Sequence, residues 1–490
     1  MKKYNVRIFS ILMLPSLMVN TVTAESFNNE ADYQQTSYIK AANTDANDLF
    51  GNSVSVSGNL LIVGSSKEAS NSSGVDNDPN NNLLVGSGAA YIFTLNNDNE
   101  WLQDAYLKAS NPDINDGFGF SVAASGNTVV IGAPFEASNA TTINGNQDDN
   151  TAIGSGAVYV FAFVNNNWIQ QAYLKADNAQ GFDNFGHSVA ISGNTIVVGA
   201  IGEASNAIDV DGDGTNNDGF LNGAAYVFHR TDFNWTQQAY LKPSNSDQSD
   251  QFGYSVAISG DTIIVGAPNE DGDGSSIDNN SIDASGAAYI FRSNNSDWSQ
   301  TAYLKASNIG ENDQFGHSVA ISNNVVVVGA RFEGSNASGV DGDQDNNLSL
   351  GSGAAYVYST PNGKWTQTAY LKSTNNLSNS FFGSAVSVDN HKIAVGNDSN
   401  QSTGNVDLYL YENDTWQTET ILSASNLEAG DRFGSAVSIS ANKVAVGSYR
   451  ESSDSNGING DEDNNNAFSS GAAYIFTDIE SIFSNGFEIN

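Results

Sequence analysis

Cysteine is absent from the 490 residues, so no disulfide braces the chain and stability has to come from packing, bound ions or both. Proline is scarce, at seven residues, and no stretch sustains a helical period, which removes the helical fold classes. Basic residues are few as well. Eighteen against fifty-five acidic ones give a formal charge of −37, a surface that repels nucleic acid and anionic lipid and attracts cations. Long apolar runs are missing with one exception, Ile8 to Val19. It lies behind Lys2, Lys3 and Arg7 and ahead of the small residues of Val22–Ala24, is too short to span a bilayer, and has the layout of a signal peptide cut after Ala24. Residues 1–24 are therefore expected to direct export, to secretion or the cell surface.

What the chain does contain is 47 glycines, 39% hydrophobic residues and aromatics throughout, enough for a sizeable core despite the charge. Phe-Gly recurs at Phe50, Phe118, Phe185, Phe252, Phe315, Phe382 and Phe433, at intervals of 68, 67, 67, 63, 67 and 51 residues. A fixed period in a β-rich chain points to a propeller or solenoid. Each unit reads as four short strands; from Phe252 these are "FGYSVAIS", "TIIVGAP", "GAAYIF" and "WSQTAYLKAS". Four strands per unit is the grammar of a propeller blade, and the Gly-Asp between the first two suits a tight hairpin.

In the first strand the alternation puts Phe252, Tyr254, Val256 and Ile258 on one side and Gly253, Ser255, Ala257 and Ser259 on the other. Bulky against flat suits blades that lay a large face on the small face of a neighbour. All six tryptophans open a fourth strand, yet seven units need seven fourth strands. The missing one is "YQQTSYIKA" at residues 33–41, where Tyr33 stands in for tryptophan. It is expected to pair with residues 471–476 and close the ring, abolishing the open sheet edge. The fold expected is an all-β, seven-bladed propeller over residues 25–477, with a tail at 478–490 whose "IFSNGFE" resembles endings of some exported bacterial proteins.

The pattern "FGxSVAIS…VVGAP…GAAYVF" resembles the FG-GAP repeat of integrin α subunits and of many bacterial secreted and surface proteins. The resemblance covers residues 30 to 477 and implies a propeller with a leaning to extracellular binding and cell adhesion, without implying one activity. It departs from integrins in one respect. There the calcium loop lies between the first two strands, where this chain has only "SGN" or "SGD".

Its acidic loops lie between strands two and three, and in five units they align in columns. The first column is Asp76, Asn144, Asp211, Asp341 and Asn459; the second is Asp78, Asn146, Asp213, Asp343 and Asp461. The third is Asn80, Asp148, Thr215, Asp345 and Asp463, and the fourth is Asn82, Asn150, Asn217, Asn347 and Asn465. Oxygen-bearing side chains at every second position suit a hard cation, so calcium is the expected cofactor; solvated turn-forming loops are the alternative. A glutamate four residues after the "GAP" glycine accompanies each loop: Glu68, Glu136, Glu203, Glu333 and Glu451. Glu270 sits beside a variant loop, and the sixth unit has lost glutamate and loop together. With almost no lysine or arginine in the loops to pair with it, the glutamate is expected to complete the cation cage.

An aspartate two residues before Phe-Gly in six units (Asp48, Asp116, Asp183, Asp250, Asp313, Asp431) is read as a turn cap rather than a ligand. His187 and His317 share a column with Phe120 and Tyr254 and read as large inner-strand residues. No singular cluster, nucleophile elbow or phosphate loop marks a catalytic centre, so no catalytic residue is assigned. The function expected is an extracellular binding or adhesion module for a glycan or a protein. A secreted polysaccharide lyase or hydrolase with acids on the loop face, and a surface-coat protein without a discrete ligand, are the alternatives.

Overall fold

The computed structural model describes residues 33–479 apart from 278, 400–402 and 427. Residues 1–24, read above as a leader, and most of the 478–490 tail lie outside these residues. Seven antiparallel sheets follow one another along the chain, each with four strands in sequential order. In blade 1 the strands are Phe50–Ser57, Leu60–Ser65, Ala89–Leu95 and Trp101–Leu107, and the pattern repeats to blade 7, which begins at Phe433. Blade 5 adds a two-residue strand, Gly339–Val340, beside its outermost strand. The first strands of successive blades pack against one another, and the last against the first, so the sheets stand around a common axis.

Ring closure is as the sequence implies. Tyr33–Ile39 pairs antiparallel with Ala472–Asp478, with Tyr38 opposite Tyr474 and Ile39 opposite Ala473. The N-terminal strand thereby completes blade 7, and its Ile39 is fully buried.

The blades pack large face to small face. Phe252, Val256 and Ile258 of blade 4 are buried with Val197, Ala225 and Val227 of blade 3. On the opposite side, Ser255 Oγ donates to the carbonyl of Gly316 in blade 5 at 2.9 Å, and Ser259 Oγ accepts from Asn323 N–H at 3.0 Å. The strict alternation read from sequence fails at one point. In blade 3 Phe185 is paired with Ala200 but Ser188 with Gly199, a bulge that repeats in most blades and re-aims the residues within it. Gly253 consequently sits on the same side as Phe252, at φ +90°, where a Cβ would lie 2.2 Å from the carbonyl oxygen of Ala224 in the preceding blade. The glycine is needed both for its backbone angle and for this close approach. Bulge geometry, which a two-residue period cannot encode, is why the expected face for Gly253 was the wrong one.

Deleting residues 25 to 43 strips the outer strand from blade 7 and reopens the edge of Ala472–Asp478. The melting temperature is expected to fall by well over the ~2–4 °C that 1 kcal/mol moves a domain of this size, read by calorimetry; a truncated chain melting with the parent would contradict closure.

Candidate functional site

The structure gives the glutamates a partner. Each of the six is buried, and each pairs with a buried lysine from the end of a fourth strand: Glu68 with Lys108 at 2.8 Å, Glu136 with Lys175 at 3.1 Å, Glu203 with Lys242 at 3.0 Å. Glu270 pairs with Lys305 at 2.7 Å, Glu333 with Lys372 at 2.7 Å, and Glu451 with Lys40 at 2.8 Å. The last pair joins blade 7 to the N-terminal strand. This corrects the expectation that no cation was available to the glutamates and that they face the loops.

The surroundings of each pair are dense with hydrogen bonds. Glu68 Oε1 accepts from Asn43 Nδ2 at 3.2 Å, Ser70 N–H at 3.1 Å and the Tyr106 hydroxyl at 3.0 Å. Lys108 Nζ donates to Glu68 Oε2 and to Ser87 Oγ, both at 2.8 Å. Asn43 also accepts from the Tyr91 hydroxyl at 2.8 Å and donates to the carbonyl of Pro79 in the loop above. Four segments of chain meet at one ion pair, and the same set recurs as Asn308, Tyr356, Glu333 and Lys372 in blade 5. Burial lowers the pKa of all six lysines, and the adjoining glutamate opposes that shift.

The loop columns lie on the other side of this network, at the surface. All twenty column residues are exposed. Those of the first column accept the N–H of a fourth-strand tyrosine: Tyr106 to Asp76 at 2.8 Å, Tyr173 to Asn144 at 2.9 Å, Tyr240 to Asp211 and Tyr370 to Asp341 at 2.9 Å, Tyr38 to Asn459 at 3.0 Å. In the second column Asp78, Asn146, Asp213, Asp343 and Asp461 accept the N–H two residues on, closing a small turn. The third-column residues Asn80, Asp148, Thr215, Asp345 and Asp463 supply those N–H groups. In the fourth, Asn82 donates to Asp45 at 3.0 Å and Asn465 to Glu428 at 2.9 Å, while Asn150 and Asn217 donate to Asp113 and Gln180.

Residue type follows hydrogen-bond role. The first two columns accept, and there aspartate and asparagine interchange; four of the five residues in the fourth donate, a role that asparagine can fill and a carboxylate cannot. The in-register spacing thus has a hydrogen-bonding cause. Among the described residues no three His, Asp or Glu side chains gather at one point. Turned inward to lysine, the glutamates do not complete a cation cage with the loop columns.

The aspartates before Phe-Gly are turn caps, as expected. Asp116 Oδ2 accepts the N–H of Asp113 at 2.8 Å, and Asp183 and Asp250 do likewise from Gln180 and Asp247. Burial pushes their carboxyls up, Asp48 and Asp250 to about 8 and Asp116, Asp183, Asp313 and Asp431 to about 7. His187 and His317 lie near the axis with Phe120 and Tyr254, in ring contacts of 4.9 to 5.2 Å, and burial lowers both imidazoles.

The sequence reading missed the lysines, and the signal was present. Lys40, Lys108, Lys175, Lys242, Lys305 and Lys372 end six "Y(L/I)K" strands, and the sixth unit, where the glutamate is lost, has Ser423 instead. Its inner tyrosine is lost too: Asp407 stands where the others have Tyr91 or Tyr356, buried, with its carboxyl pushed up to about 6 by burial.

These features define a closed β-propeller of near-identical blades, six of them pinned by a buried ion pair. A profile of the FG-GAP repeat matches residues 33–93, 101–161, 168–228, 235–291, 298–358 and 416–476, and the chain belongs to that family. The matched units run from fourth strand to third, and the segment between 358 and 416, most of it blade 6, is outside them. No curated protein matches the chain. Among solved structures, a protein of Bacteroides uniformis assigned as a 6-phosphogluconolactonase is similar over 73% of this chain and 84% of its own, with 10% identity and a TM-score of 0.42. A likeness at that level carries nothing about activity.

Glu333→Gln leaves Lys372 as a buried charge without its counter-ion. It is expected to cost about 3–5 kcal/mol, with much of the loss recovered when Lys372→Met is added; chemical denaturation of both variants measures this. The buried aspartates set a second expectation. Their folded-state pKa lies above the unfolded value, so the folded chain holds more protons between pH 4 and 8 and loses stability as pH rises through that window. The melting temperature should be higher at pH 5 than at pH 8, by several degrees.

Proposed function

We propose that the protein is an exported binding module whose loop face docks a partner protein. The observation that supports this is a ring of exposed apolar side chains at one repeat position. Val85, Ile153, Phe220, Leu350 and Phe468 each accept, through the main-chain carbonyl, an N–H from the connection that leads into the next Phe-Gly, so they are equivalent in five blades. All five are 62% or more exposed, and Leu83, Ile114, Phe182 and Leu348 add to the same face. Folding alone gives no reason to keep such side chains in water, and recurrent exposed apolar groups rimmed by polar ones suit an interface. The rim is acidic, so the fitting partner presents apolar side chains within a basic surface. Export rests on the leader at residues 1–24, and adhesion is one use of such a module.

Calcium enters as a counter-ion at the exposed loop carboxylates, Asp213, Asp343 and Asp461 among them, rather than as a caged ion. At fixed ionic strength, calcium is then expected to raise the melting temperature modestly above sodium. A steep, saturable rise at micromolar calcium would instead require a formed site.

The docking face is tested with Phe182→Ser, Phe220→Ser and Phe468→Ser combined. Because these side chains are exposed, the variant should melt like the parent yet lose binding, by at least about tenfold, to whichever of a panel of purified basic extracellular proteins the parent binds. Undiminished binding would place the function on another surface.

A further inference from the structure

The blades are near copies, so a feature that occurs once stands out. Between blades 5 and 6, where the turns joining first and second strands meet the outer strands, lies a cavity of about 630 Å³ lined by Asn323, Thr368, Asn390, His391, Tyr411 and Trp416, among others. Its lining joins a tryptophan that has no acceptor in the preceding blade to one departure from the repeat. Trp168, Trp235 and Trp298 each donate the indole N–H to the fourth strand of the preceding blade, at Asp104, Gln171 and Gln238, at 2.8 to 3.0 Å. Opposite Trp416 the equivalent residue is Thr368, whose shorter side chain donates instead to the carbonyl of Val357, as Thr36 and Thr301 donate to Ile475 and Ile290 where they face Trp101 and Trp365. The Trp416 N–H makes no hydrogen bond among the described residues and is not sealed from solvent, so it is open to a ligand.

The departure is aromatic. In every other blade the turn between the first two strands has asparagine or aspartate at the position of His391. The His391 ring lies nearly parallel to that of Tyr411, at 12° and 6.1 Å between centroids, and Tyr411 contacts Trp416 at 5.2 Å. Tyr411 is 36% exposed and His391 is exposed. Around these rings stand amides and hydroxyls, with the carboxylates of Asp341 and Asp414 and with no lysine or arginine.

We propose that this cavity binds a short saccharide that carries no acid group. A pyranose offers an apolar C–H face to an aromatic ring and a rim of hydroxyls that both donate and accept, which is the complement of this lining. One hydroxyl oxygen would accept the free N–H of Trp416. The volume takes one or two sugar rings. The two carboxylates and the missing cations disfavour uronates, phosphates and nucleotides. The site is separate from the docking face and stands or falls without it.

The test is titration of the full-length mature protein with a panel of neutral hexoses, N-acetylhexosamines and their disaccharides, with glucuronate as the acidic control, followed by calorimetry and tryptophan fluorescence. At least one neutral sugar is expected to bind more tightly than glucuronate. Tyr411→Ala should weaken it by about tenfold or more, and Trp416→Phe, which keeps most of the ring but removes the donor, by several-fold, with melting unchanged in Tyr411→Ala. The triple loop-face variant should bind the sugar as the parent does. Absence of binding by every neutral sugar at about 10 mM, or binding that survives Tyr411→Ala intact, overturns the proposal.

Discussion

The buried lysine–glutamate pair is the interaction on which the architecture of six of the blades depends. Moving two charges out of water costs several kcal/mol apiece, and the attraction between them repays this only when the remaining hydrogen-bonding capacity is filled. Around Glu68 it is filled: by Asn43 from the incoming connection, Ser70 from the loop, Tyr106 and Lys108 from the outer strand. The pair therefore fixes where four segments lie relative to one another. A hydrophobic contact could supply comparable energy, yet it would not dictate register, since apolar surfaces slide. In a chain without cysteine, this network does the positional job that a disulfide performs elsewhere.

Blade 6 shows the dependence from the other side. Its glutamate, lysine and two tyrosines are replaced together, by Asn400, Ser423, Asp407 and Ile421, and its long acidic loop is gone. Once no ion pair needs a cover, no loop is needed to supply Ser70-type donors above it. The loss of the loop and the loss of the glutamate have one cause, the ion pair. Where the repeat relaxes, the adjoining surface is also freed to diverge, and the aromatic cavity beside blade 5 lies at that junction.

The sequence carried the fold plainly, because the evidence was periodic. Seven Phe-Gly pairs, six tryptophans and an orphan fourth strand at Tyr33 define blade number and closure without any need for coordinates. The network was legible only in part. Glutamate was noticed because it sits near acidic loops, but its lysine lies 35 to 40 residues further on in five of the pairs and 411 residues away for Lys40. Local reading links what is adjacent in sequence, and so the glutamates were joined to the loop columns, with which they share no face. The columns themselves were seen correctly as a pattern, but their hydrogen-bonding roles could not be read without the partner groups in view. The cavity at Trp416 was invisible, since its lining is drawn from segments of two blades that lie far apart in the sequence.

Closure by the two ends of the chain has a consequence for biosynthesis. Until Ala472–Asp478 has been made, Tyr33–Ile39 has no strand to pair with and Lys40 has no counter-ion. The first segment to leave the ribosome is thus among the last to find its place, and the loop it closes spans nearly the entire polypeptide, the slowest kind of contact to form. A chain so arranged stays incompletely folded, and threadable, through most of its synthesis. On the export route proposed above, that delay would keep the chain competent for translocation.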